Sequence, residues 1–99
     1  FPASLRLRQL LELAGDPIDV QQERNRDLWD ALGLQELLDI PAGECSSGMK
    51  QRAAIALAFA TPCRVVILDE PFNWLDPVAA FDVRAVLARM VSDGLALVT

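Results

Sequence analysis

Histidine is missing from this 99-residue sequence, and lysine occurs once, at Lys50. Without imidazole, and with Cys45 and Cys63 as the only thiols, a zinc site has too few ligands. Two free thiols are the expected state of that pair. A single lysine, placed where Lys50 is, leaves no GxxxxGK[ST] loop to cradle phosphates within these residues. A net charge of −5 argues against a nucleic-acid surface, which needs a basic stripe to displace counterions. Long apolar runs are also lacking. The longest, Ala53 to Ala60, falls well short of the roughly 20 residues of a membrane-spanning helix. The start, "FPASLRLRQLLELAG", reads as an amphipathic helix and has neither the order nor the cleavage site of a signal peptide. It has no initiator methionine, so Phe1 is expected to lie inside a longer gene product.

What remains is an ordinary globular balance, 53% apolar and 23% charged, sufficient for at most one small domain. Ser4 is placed to cap a first helix with Leu5, Leu10, Leu11 and Leu13 near one face, closed by Gly15 and the "GDP" turn. A second helix is expected from Asp19 to Leu32, with Val20, Leu28, Ala31 and Leu32 as its apolar side and Gly33 past its end. A short third helix, Leu34 to Leu38, stops before "IPAGE". From Ser47 a long alanine-rich helix follows, ended by Pro62. "RVVILD", Arg64 to Asp69, shows no alternation and reads as a parallel strand buried on both faces. "EPFNWLDP" is a loop. Asp76 then caps a helix from about Val78 to Val91, and "LALVT" forms a second buried strand. The order is helices first, then αβαβ. Two parallel strands make a poor sheet alone, and at least one edge should be bare.

Two stretches carry chemistry. "VVILDE" delivers Asp69 and Glu70 to the rim of a parallel sheet, where α/β proteins bind ligands. Asp69 is placed to hold Mg²⁺ through water, and Glu70 to orient or deprotonate a water that attacks phosphorus. "CSSGMKQR" starts a helix whose first-turn N–H groups and dipole favour an anion. Ser46 and Ser47 add hydroxyls, and Gly48 admits a close backbone approach. Each stretch has a plainer reading, as an ordinary strand end and as an N-cap, with Lys50 and Arg52 on a solvated helix face. Together they are more specific. Ser46 precedes Asp69 by 23 residues, and Asp76 follows Glu70 by six.

In this arrangement the sequence resembles the nucleotide-binding domain of ABC-type ATPases. "CSSGMKQR" is similar to the signature motif LSGGQ, "VVILDEP" to the Walker B strand and "NWLDP" to the D-loop. "GLALVT" resembles the strand before the switch histidine, and "FPASL" the segment after the Q-loop. The resemblance implies a P-loop NTPase-like α/β fold, present in part: a helical subdomain over residues 1–45, and over 46–99 the signature helix, Walker B strand, D-loop, helix and final strand. It also implies roles. Asp69 would bind Mg²⁺ and Glu70 would be the catalytic base. Ser46, Ser47, Gly48 and Met49 would contact ATP held by a second nucleotide-binding domain in a head-to-tail dimer, and Asp76 would couple the two sites. The parent would be an ATPase at the inner face of the cell membrane, bound there through a transmembrane permease.

The signature departs from the usual pattern: Ser47 replaces a glycine and Met49 the glutamine. Glycine-methionine endings resemble a subset of transporter ATPases associated with export. The segment corresponds to the middle of a domain, so the chain alone is expected not to hydrolyse ATP, and to self-associate through a bare sheet edge or apolar face. Two other readings stay open: a soluble ABC-fold ATPase of translation or DNA maintenance, and a non-catalytic helical interaction module.

Overall fold

The computed structural model describes residues 4–68, 71–73 and 75–99. Its helices are α1 (Leu7–Ala14), α2 (Ile18–Arg24), α3 (Arg26–Leu32), α4 (Ser47–Ala58) and α5 (Pro77–Ser92), and its strands β1 (Val65–Ile67) and β2 (Ala96–Val98). Short 3-10 turns at Leu34–Glu36 and Ala42–Glu44 lead from α3 to α4. The helices-first order with a terminal βαβ unit matches the sequence expectation. Among the described residues, no helix is long and apolar enough to cross a membrane.

Packing explains the boundaries. α1 begins at Leu7 rather than being capped by Ser4; Arg6 is the N-cap, and its N–H donates to Gln9 Oε1 at 2.9 Å. Leu7 and Leu11 go inward and α1 packs on α4, whereas Leu13 lies on the opposite side and is exposed. The single helix expected over Asp19–Leu32 is broken at Asn25, between α2 and α3. Asn25 is buried and its Nδ2 donates to the carbonyl of Phe59 at 3.0 Å. That bond turns the chain, so Val20 is carried out to solvent while Leu28, Trp29 and Leu32 enter the core. Gly33 closes α3 in the left-handed region at φ 63°, as its position past the apolar run predicts. The third helix shrinks to the 3-10 turn at Leu34–Glu36. α4 ends at Ala58, short of Pro62.

The end of α4 is held by the corner before α2. Arg24 Nη2 donates to the carbonyl of Ala60 at 3.0 Å, and Arg24 Nη1 pairs with Asp16 Oδ2 at 2.7 Å. Fully buried Gln21 sends its Nε2 to the carbonyls of Leu11 and Asp16, at 2.8 and 2.6 Å. These side chains bind carbonyls at the end of α1, in the corner after it and just past α4; the Leu11 carbonyl also accepts from the Gly15 N–H at 3.1 Å.

β1 and β2 pair in parallel, Val65 with Ala96, Val66 with Leu97 and Ile67 with Val98. This is the pairing expected between the two aliphatic runs. Their burial is not. Val66 is 3% exposed, but Val65 is 59% and Ile67 73% exposed, with Val98 at 51% on the same face. Among the described residues helices cover one side of the sheet only, so alternation returns although both faces are aliphatic. α3 packs against α5, joining the first helices to the βαβ unit through Val83, Val86 and Leu87.

Candidate functional site

The first element of the site is the start of α4. Cys45 and Ser46 are extended, and the turn into the helix is closed reciprocally. Ser46 Oγ accepts from the Met49 N–H at 3.2 Å, while the Ser46 N–H donates to Met49 Sδ at 3.4 Å. This is a capping box in which a thioether takes the place of a side-chain amide or carboxylate. The plain reading of Ser46 as an N-cap therefore holds, and it does not exclude the anion reading. Ser47 is exposed, Gly48 and Met49 are half-buried, and the N–H groups of Ser47 and Gly48 have no acceptor in the helix. The donors are those an anionic oxygen needs.

The chain reaches this point along a fixed path. Arg8 holds Asp39 with two parallel hydrogen bonds, Nε to Oδ1 at 3.0 Å and Nη2 to Oδ2 at 3.1 Å. The Ala42 N–H donates to the Leu5 carbonyl at 2.8 Å. The hydrogen bond from Arg8 keeps the Asp39 carboxyl below its ordinary range, although desolvation opposes it. The same bond raises the Arg8 guanidinium.

The second element is the loop before α5. Asp69 and Glu70, the expected metal ligand and catalytic base, lie outside the described residues. Leu68, the last described residue before them, is buried, and its N–H donates to the Val98 carbonyl at 2.8 Å. Beyond them Pro71 is buried and Phe72 half-buried. The Leu75 N–H donates to the Phe72 carbonyl at 3.2 Å, and the Arg84 guanidinium stands over the Phe72 ring, 4.7 Å from its centroid. Asp76 caps α5, its Oδ1 accepting from the Ala79 N–H at 2.8 Å, with Pro77 at the first helical position.

Arg52 joins the two elements. Its Nη2 lies 3.6 Å from Asp76 Oδ2. No hydrogen bond or ion pair among the described residues links Ser46–Met49 directly to Asp76; the connection runs through this arginine, which follows Met49 on α4. The plainer reading of Lys50 and Arg52 as a solvated helix face fits Lys50, which is exposed, but not Arg52, whose side chain is only 28% exposed. The sequence does hold a signal for this. Arg52 precedes Ile55 and Ala56 by three and four residues, so it shares their buried face. Arg84, which holds Phe72, is exposed although Leu87, three residues on, is buried, so the same spacing does not mark its contact. Among the described residues no group of three metal-ligating side chains converges. The thiols of Cys45 and Cys63 are free.

Comparison with known proteins shows the family. A family profile described as ABC transporter matches residues 3–73. The chain is 43% identical over 83 residues to an ABC transporter ATP-binding protein of Streptomyces avermitilis, covering 84% of the chain and 15% of that protein. It is 36% identical over 84 residues to a macrolide export ATP-binding/permease protein of Paracoccus denitrificans, covering 85% of the chain and 13% of that protein. A phosphate import ATP-binding protein of Natronomonas pharaonis is 37% identical over 99 residues, covering 94% of the chain and 35% of that protein. The chain thus spans between about one-eighth and about one-third of the length of these relatives. Export and import proteins appear side by side among them. With its helical first half, its parallel β1–β2 pair and this match over most of its length, the chain is part of a P-loop NTPase-fold domain and belongs to the ABC transporter family.

Proposed function

We propose that this chain is the signature-bearing middle of an ATP-binding, ATP-hydrolysing subunit that drives transport across a membrane. The observation that carries the reading is the start of α4. A serine-capped helix N-terminus, with the N–H groups of Ser47 and Gly48 unoccupied by the helix, carries the stretch that resembles the family's signature motif, within the span the family profile matches. Ser46, Ser47, Gly48 and Met49 take up the γ-phosphate of an ATP held by a second nucleotide-binding domain, and Asp76 couples the two sites. Asp69 binds Mg²⁺ through water and Glu70 polarises the attacking water. Bound Mg²⁺ supplies charge neutralisation on the phosphates. The region of residues 1–45 acts as the helical subdomain that meets the transmembrane permease, and residues 46–99 belong to the core subdomain. The subunit works on the inner face of the membrane through that permease.

The test is hydrolysis by the full-length protein that carries this sequence. Glu70→Gln is expected to lower turnover by about 10²- to 10⁴-fold, as loss of a positioned base does, while ATP still draws two domains together. Turnover that survives Glu70→Gln would sink the assignment. The 99-residue chain alone, with no GxxxxGK[ST] loop, is expected to show no steady hydrolysis.

A further inference from the structure

The Asp76 carboxylate serves two elements at once. Oδ1 accepts from the Ala79 N–H at 2.8 Å and starts α5, while Oδ2 faces Arg52 Nη2 at 3.6 Å, on α4. Arg52 is the more enclosed partner, 28% exposed against 58% for Asp76. Its Nε is fully buried without a hydrogen-bond partner. A Cβ at Gly33, the residue that closes α3, would stand 3.8 Å from Arg52 Nη1. The guanidinium thus lies beside the carboxyl-terminal end of α3, where a helix dipole favours a cation. Its three sides meet α4, the end of α3 and the cap of α5.

An arginine used only as a surface charge would extend its head into water and leave no N–H buried. Here a donor is buried unpaired, an arrangement that costs stability, and the head is enclosed rather than extended into water. We infer that Arg52 is a positioning residue: through the Asp76 carboxylate it ties the first turn of α5 to the signature helix, so that Ser46–Met49 and Asp76 shift together. Its contribution to nucleotide handling rests on the reading under Proposed function. The mechanical link does not, and it is measurable without nucleotide.

The experiment is amide hydrogen exchange, read at residue resolution without nucleotide, on the full-length protein that carries this sequence, with Arg52→Met, Asp76→Asn and the double variant. Methionine keeps much of the arginine stem, and asparagine keeps the cap. Asp76→Asn is expected to speed exchange at Met49 and Lys50 on α4, and Arg52→Met to speed it at Ala79 and Ala80 on α5, each by about two- to threefold. The double variant should show the same two- to threefold change, because one link is removed once. Multiplied effects of about four- to ninefold, or an Asp76→Asn variant with unaltered exchange at Met49 and Lys50, overturn the inference. Arg52→Lys serves as the conservative rescue, keeping part of the protection at Ala79 that Arg52→Met loses; a lysine variant that exchanges as fast as the methionine one, or a methionine variant with unaltered exchange at Ala79, refutes the link. Failure of the ATPase reading would leave these rates unchanged, and failure of the link would leave the Glu70 dependence of turnover unchanged.

Discussion

Gly15 abuts the backbone of Ala60: a Cβ on Gly15 would stand 2.1 Å from the Ala60 carbonyl oxygen. Its φ of −163° is extended backbone open to any residue, so it is contact, not conformation, that requires glycine here. The corner after α1 presses onto the end of α4, and the Asp16 N–H donates to that same carbonyl at 3.3 Å. Gly15→Ala is expected to destabilise the fold by about 2–3 kcal/mol, since the obstacle is backbone and cannot rotate away. Chemical denaturation of the two chains checks it, and an unchanged midpoint would show that the corner opens freely.

Asn25 is the other fixed point of that contact. Asn25→Ala removes the donor to the Phe59 carbonyl and should cost about 1–2 kcal/mol. Arg24 Nη2, 3.4 Å from the same oxygen, limits the loss. Thermal unfolding of Asn25→Ala, Arg24→Met and the pair should show a combined loss larger than the sum of the singles.

Acid should loosen the approach to α4. The hydrogen bond from Arg8 lowers the folded-state Asp39 carboxyl below 3.8, its ordinary value. A group depressed on folding lends its stability above the unfolded value and loses it as pH falls through the folded one. Between neutral pH and that acid limb, Asp39→Asn should flatten the stability–pH curve. Both side chains are well exposed, so added salt should shrink the difference. An acid limb identical in both chains would remove Asp39 from the account.

The helix cap is separable from the anion reading. Ser46→Ala removes the acceptor of the Met49 N–H and is expected to cost about 1 kcal/mol, with faster exchange at Met49. Ser47→Ala touches no hydrogen bond of the cap and should leave stability within about 0.5 kcal/mol. In the full-length protein both substitutions should weaken ATP-driven association of domains. If only Ser46→Ala does, the role of that serine is the cap.

The bare face of the sheet carries Val65, Ile67 and Val98. Light scattering at high concentration is expected to report a mass above the 10.8 kDa of one chain. Replacing Val65 and Ile67 by threonine, which keeps the β-branched shape, should return the mass to one chain. A monomeric parent chain under the same conditions would count against self-association through this face.

The legible parts of this fold were those decided by neighbours in sequence. Asp76 before Pro77, Gly33 after an apolar run and Ser46 before Ser47 each act within four residues, and each stands where the sequence places it. The break at Asn25 was hidden because its cause is Phe59, 34 residues away. Val65 and Ile67 look like core residues because nothing in composition says whether a second layer covers them. In the site, the serine-led helix start was legible. The Arg52–Asp76 link was not, since it depends on where α5 packs against the rest. Asp69 and Glu70, placed by sequence at the strand end, lie outside the described residues.

The reciprocal cap at Ser46 has a consequence for traffic at the helix start. A serine hydroxyl has one proton to give and two lone pairs to receive with. The Met49 N–H occupies a lone pair and leaves the proton unspent. Methionine at position 49 answers the Ser46 N–H with sulfur, which receives and never donates. Closing the helix therefore draws on the accepting half of the hydroxyl and leaves the donating half free, so that under the proposed function a phosphate would find the helix already wound, with no bond of that hydroxyl to break first.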